Sequence, residues 1–152
     1  MANKKMSKKD LEGITFVKVP IFGGWVILTL DQDQYHRAMD WHGIPESARA
    51  SEEHFAPGVY GFCQELENAV DGDHAVVVQV SNWQLSTLTH ELAHAVFYIC
   101  DRKGIEVDSG RRETFCYLQG YLFSKFYGPT TKRWQLEEDK LEAEEKKNAD
   151  SR

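Results

Sequence analysis

His90, Glu91 and His94 stand in the order H-E-x-x-H within THELAHAVFYICD, residues 89–101. Residues four apart in an α-helix are about one turn apart, so His90 and His94 present their imidazoles on one face. Two ring nitrogens placed in this way can converge on one ion at about 2.0–2.1 Å, the usual zinc–nitrogen distance. Glu91 is rotated by about 100° from His90. That rotation separates its carboxylate from the ligands and leaves it to act as a base toward a water activated by the ion. The same residues also fit an ordinary helix with two surface or capped histidines. The motif's position in the middle of an apolar-periodic stretch favours the chemical reading, as does its flanking by Leu88, Leu92, Ala95 and Val96.

A catalytic zinc usually has three protein ligands and one open position. Asp101 lies seven residues past His94, about 10 Å along the helix axis, too far to share the ion. Glu106 and Asp108 reach back only if the turn after Gly104 folds over the site. Glu113 opens the next helix and is the preferred candidate, provided the connection angles that helix back across the motif. Glu113, Cys116, Tyr117 and Gly120 form one helical stripe by spacing. Gly120 would let the two helices approach closely, and Tyr117 would orient Glu113 or donate to an oxyanion. Each has a plainer reading: Glu113 as a first-turn carboxylate favoured by the helix dipole, Tyr117 as a buried aromatic. Cys100 and Cys116 are competing sulfur ligands, although a free buried cysteine is common; Cys63 is a weaker one. His36, His42, His54 and His74 fall in turns or weakly structured stretches and read as solvent-exposed.

The elements that must position these groups follow from periodicity. ITFVKVP (14–20) and GGWVILTL (23–30) are β-branched and apolar and read as two strands of a hairpin. Residues 31–57 carry a poor signal, with room for one helical turn or more. GVYGFCQELEN (58–68) and AVVVQV (75–80) read as a further strand pair around an Asp71-Gly72 turn. AVVVQV precedes the motif by about nine residues, and a strand so placed in zinc peptidases lies along the cleft and hydrogen-bonds an extended substrate. Leu85, Leu88, Leu92, Val96 and Ile99 predict a helix over 81–104, with Ser81, Asn82 or Ser86 as N-cap and Gly104 at its end. Phe115, Leu118, Leu122 and Phe126 predict a second helix over about 109–127, stopped by Gly128-Pro129. Residues 1–12 read as a flexible basic arm, 13–130 as the domain, and 131–152 as a charged tail, helical but fraying.

THELAHAVFYICDRKGIEV followed by RRETFCYLQGYLF resembles the core of small gluzincin-type zinc metallopeptidases, in particular the short ones encoded by tailed bacteriophages and prophages. The resemblance covers roughly residues 75–127. It implies a small α+β, zincin-like domain, with an antiparallel or mixed sheet of about four strands packed on the motif helix and on a second, ligand-bearing helix. It also implies that His90, His94 and Glu113 bind Zn2+ and that Glu91 is the base. A peptide or protein would then be the substrate. The chain is far shorter than the larger gluzincins and has no evident downstream His or Tyr motif.

Charge narrows the classes. Residues 1–12 carry four lysines against Asp10 and Glu12, whereas residues 13–131 carry 8 Lys/Arg against 15 Asp/Glu. An acidic body repels a phosphate backbone, which argues against nucleic acid as a partner. No apolar run approaches the roughly 20 residues that span a bilayer, and the N-terminal pattern is not that of a secretory signal. Three cysteines without a C-x-x-C pair fit a reducing, cytoplasmic setting. Two further readings stand beside the peptidase: a non-catalytic zinc-stabilised assembly or host-interaction protein, and a metal-free interaction domain. Oligomeric state is not legible in the sequence.

Overall fold

A computed structural model describes residues 8–66, 74–108, 110 and 112–150. The protein is α+β. Strands β1 (Thr15–Lys18), β2 (Trp25–Thr29), β3 (Gly61–Leu66) and β4 (Ala75–Val80) form one mixed sheet in the order β1-β2-β4-β3. β1 pairs antiparallel with β2, β3 pairs antiparallel with β4, and the central β2 and β4 run parallel. The helices are α1 (Gln32–Trp41), α2 (Leu85–Arg102) and α3 (Arg112–Asp150).

β4 explains the layering. All six of its residues are buried, as a β-branched run flanked by strands and covered on both faces must be. Val76, Val78 and Val80 join Val26, Leu28 and Leu30 beneath α2 and α3, whereas Ala75 and Val77 join Ile27 beneath Tyr35, Ala38 and Met39 of α1. The one polar side chain in β4, Gln79, accepts a hydrogen bond from the Thr29 hydroxyl and donates to Ser81.

α1 occupies a stretch whose sequence gives little helix signal. Asp31 caps it by accepting from the Gln34 amide at 2.8 Å. Gln34 then spends its own carbonyl oxygen on the Leu30 amide at the end of β2. Within the stretch expected as a flexible arm, Lys8–Leu11 form a 3-10 turn, and the Asp10 and Glu12 carbonyls accept from Arg37. The Asp71-Gly72 turn lies outside the described residues.

α2 starts later than its pattern suggests. Trp83 adopts a left-handed backbone with φ of 55°, and its indole N–H is anchored on the Leu30 carbonyl at 2.8 Å. The N-cap is therefore Gln84, with no side-chain cap, and none of Ser81, Asn82 or Ser86 occupies that position. Gly104, at φ of 62°, ends the helix as expected, and the Ile105 amide closes onto the Cys100 carbonyl at 2.8 Å.

The largest departure is at Pro129. α3 does not stop there but runs on to Asp150. A proline inside a helix costs about 3 kcal/mol, and tertiary anchors on both sides outweigh it. Phe126 and Thr130 are fully buried, and the Thr130 hydroxyl donates to the Phe126 carbonyl. Past the proline, Arg133 reaches Asp31 and Glu137 and lies over the Trp83 ring. From 138 to 149 every side chain is exposed. Among the described residues, no helix is long and apolar enough to cross a membrane.

His42, expected in solvent, is only 4% exposed, and neither ring nitrogen has a hydrogen-bond partner among the described residues. Burial lowers its pKa to about 4. Between the ordinary value near 6.5 and 4, the unfolded chain binds the proton that the folded chain refuses. Stability is therefore full above about pH 6.5 and falls as pH drops toward 4. Urea denaturation at pH 7 and pH 5 is expected to show a loss on the order of 1–2 kcal/mol from this residue. His42→Phe is expected to remove that part of the pH slope.

Candidate functional site

α2 divides the motif between two environments. His90 and His94 are exposed, and their Nε2 atoms lie 3.2 Å apart, with the rings nearly perpendicular at 76°. Glu91 is 6% exposed and faces the sheet. Burial raises its carboxyl above the ordinary carboxylate value, against the opposing pull of His90 and His94. The helix thus presents two solvent-facing imidazoles beside a proton acceptor of raised basicity.

The 3.2 Å separation bears on metal binding. Two nitrogens each about 2.05 Å from one tetrahedral ion are roughly 3.3 Å apart. The observed separation matches that distance. In the absence of an ion, the same separation suits a hydrogen bond from one imidazole to the other.

Gly61, the first residue of β3, sets the position of Glu91. A Cβ built on it would lie 2.7 Å from the Gln79 carbonyl oxygen, 2.8 Å from Thr87 Cγ2 and 3.1 Å from Glu91 Cγ. Only a residue without a side chain lets α2 lie this close to the sheet. Farther along, Glu65 of β3 accepts from His74 at 2.7 Å and from Arg102 at 2.9 Å, tying the last turn of α2 to the strand. Burial lowers the His74 pKa against the pull of Glu65, so at neutral pH this contact is a hydrogen bond from a neutral ring.

A groove of about 530 Å³ opens between the approach to β3 and α2, lined by Gly58, Val59, Tyr60, Gly61, Ser86 and Thr87 together with His90 and Glu91. Tyr60 stands 60% exposed at its rim, and its carbonyl accepts from the Ser81 amide. The strand expected along the cleft, β4, is central and has both edges paired; β3 is the terminal strand on the side of the motif.

The remaining predicted residues lie elsewhere. Phe115 packs on Phe97 at 4.9 Å and the Gln119 amide donates to the Thr89 carbonyl, so α3 runs antiparallel to α2 and its first turn lies toward the end of α2. The inward face of α3 carries Phe115, Leu118, Leu122 and Phe126. Glu113, Cys116, Tyr117 and Gly120 occupy the opposite, exposed face. Tyr117 is 59% exposed rather than buried and stacks on Tyr121. A Cβ on Gly120 would meet nothing within 4 Å, so this glycine does not serve a close helix crossing. Cys100 is buried. Cys63 is partly buried, and burial with Glu91 and Glu65 raises its thiol pKa and disfavours the thiolate that binds metal. Among the described residues, no group of three or more His, Cys, Asp or Glu side chains is arranged to hold a metal ion.

No known protein family, curated protein or solved structure matches this chain.

Gly61 and Tyr60 were missed in the sequence, although a glycine within a strand-like stretch such as GVYGFCQELEN is a signal for close backbone approach. Gly61→Ala is expected to destabilise the fold by about 1–3 kcal/mol through overpacking, because the nearest obstacle is backbone. Chemical denaturation checks this. Unchanged stability would mean that both the Gln79 carbonyl of β4 and α2 can shift to admit a methyl group.

Proposed function

We propose that this chain is a small zincin-like metal hydrolase whose substrate is a peptide or protein, with His90 and His94 as zinc ligands and Glu91 as the general base. The observation that carries the reading is the 3.2 Å spacing of two exposed imidazole nitrogens beside a buried carboxylate on the same helix. Glu113 is the proposed third protein ligand. Its support is the order of the sequence motifs, and ligation by it requires the first turn of α3 to leave the Phe115–Phe97 contact and turn its outer face toward His94.

Zinc, when bound, supplies Lewis-acid polarisation of the scissile carbonyl and acidifies water. Glu91, raised in basicity by burial, accepts a proton from the attacking water and returns it to the leaving amine. The groove beside His90 and Glu91 holds the substrate next to the start of β3, where an extended peptide would find the terminal strand of the sheet. The second reading is a non-catalytic, zinc-stabilised assembly or host-interaction protein. It draws support from the exposed C-terminal stretch of α3, a surface for contacts unrelated to the motif.

Zinc titration followed by peptide hydrolysis separates the two readings. His90→Ala and His94→Ala are each expected to lower zinc affinity by more than the roughly 10–100-fold that losing a mere supporting contact costs. Glu113→Ala is expected to weaken zinc binding as well, and unchanged affinity in that variant removes Glu113 from the ligand set. Glu91→Gln is expected to keep zinc and lose about 10²–10⁴-fold in hydrolysis. Equal turnover in that variant would sink the mechanism, and zinc binding without any hydrolysis would favour the second reading.

The pH dependence has a definite sign. Glu91 must be ionised to act as base, so kcat/KM is expected to fall as pH drops through its pKa. Glu91→Gln is expected to remove that acid limb from any hydrolysis that remains, and a limb that survives the substitution unchanged would show that Glu91 is not the titrating base.

A further inference from the structure

A second cavity adjoins the groove. It encloses about 560 Å³ between the start of α2 and the middle of α3. Its walls are Trp83, Tyr127 and Trp134, with Leu85 beside them, and its polar lining consists of Gln84, Ser86, Thr131 and Gln135. None of these eight residues is charged, in a chain where 28% of residues are. Tyr127 and Trp134 remain 48% and 44% exposed. One aromatic wall is held in place: the Trp83 indole is fixed to the Leu30 carbonyl and covered on one side of its ring by Arg133.

Ser86 lines both this cavity and the groove that contains His90 and Glu91. It stands one helical turn, about 6 Å, before His90. An extended peptide advances about 3.3–3.6 Å per residue. A chain crossing from His90 over Ser86 therefore brings a side chain about two residues from the reacting bond to the mouth of the aromatic cavity.

We infer that this cavity is a specificity subsite, which takes an aromatic or large uncharged apolar side chain of a peptide bound in the adjoining groove. The inference rests on the peptidase reading for its location and names the substrate class of that site. The lining carries no cation, which makes Asp and Glu side chains poor occupants, because no lining cation offsets the loss of their hydration. Aromatic walls, two of them partly exposed, and a polar rim fit a planar apolar group entering from an aqueous groove.

The test uses full-length, zinc-loaded protein and fluorescein-labelled, end-blocked alanine-rich hexapeptides, one without an aromatic residue and the others with a single Phe moved through each position. Binding is read by anisotropy and cleavage by mass spectrometry. One or two Phe positions are expected to raise affinity at least about tenfold over the all-alanine peptide. A single Asp in those positions is expected to give no gain. Trp134→Ala and Tyr127→Ala, both partly exposed, are expected to reduce the preference while leaving zinc affinity and thermal stability unchanged. Equal affinity for Phe and all-alanine peptides in the wild type would overturn the subsite, as would a preference that survives both substitutions undiminished. Binding with the Phe preference but without cleavage would count against the peptidase reading alone. Cleavage without the preference would count against the subsite alone.

Discussion

Gly61 has no side chain, and α2 occupies the space where one would be. A Cβ there would meet the Gln79 carbonyl, Thr87 and Glu91 at 3.1 Å or less. This close approach governs the rest of the site. It presses the Glu91 face of α2 onto the sheet and turns the His90 and His94 face outward. Two side chains of adjacent sequence positions thereby differ in hydration, and with hydration differ in what they can do. A dry carboxylate holds a proton more readily, whereas a wet imidazole pair is accessible to an ion or a substrate.

The sheet and α3 maintain that arrangement from both ends of α2. At its start, Trp83 is anchored to β2 through Leu30 and supported by Arg133 of α3. At its end, Arg102 is held by Glu65 of β3. Between them, Leu88, Leu92, Ala95, Val96 and Ile99 are packed on the valines of β4. Each fully buried aliphatic side chain contributes about 1.5–3 kcal/mol, so the helix is fixed by apolar contact, with the polar ties setting its register. The same Arg133 that steadies Trp83 lies past Pro129, and α3 therefore has to remain helical through the proline for the start of α2 to be braced.

How far the sequence could be read depended on whether the deciding forces were local. β1, β2, β4 and α2 carry their own periodicity and lie within a few residues of where the pattern places them. α1 was nearly invisible because a buried glutamine, Gln34, takes a position where the pattern looks for an apolar residue, and its stabilising bond goes to Leu30, outside the helix. The end of α3 was misread because Pro129 is a local signal and Thr130 and Arg133 are tertiary ones. Glu113 is the instructive case. Helical spacing correctly grouped Glu113, Cys116, Tyr117 and Gly120 on one stripe, and equally grouped Phe115, Leu118, Leu122 and Phe126 on another. The two stripes lie about half a turn apart, so both could not face α2. The apolar stripe is the one that packs, because burial of four large apolar groups outweighs any single carboxylate contact. That His90, Glu91 and His94 share one helix was legible, since periodicity decides it; the burial of Glu91 was not, since Gly61 and the sheet decide that.

The parallel pairing of β2 with β4 has a consequence for how the molecule assembles. It joins Trp25 to Ala75 across fifty positions of chain, and loop closure of that length must precede the reward of the central sheet. His90 and His94 need no such closure. They meet as soon as one helix forms. Glu91 acquires its dry setting only when β3 and β4 have docked against that helix. The imidazole pair thus depends on local structure alone and the dry carboxylate on long-range contacts, so the two halves of the motif differ in how much of the domain each requires.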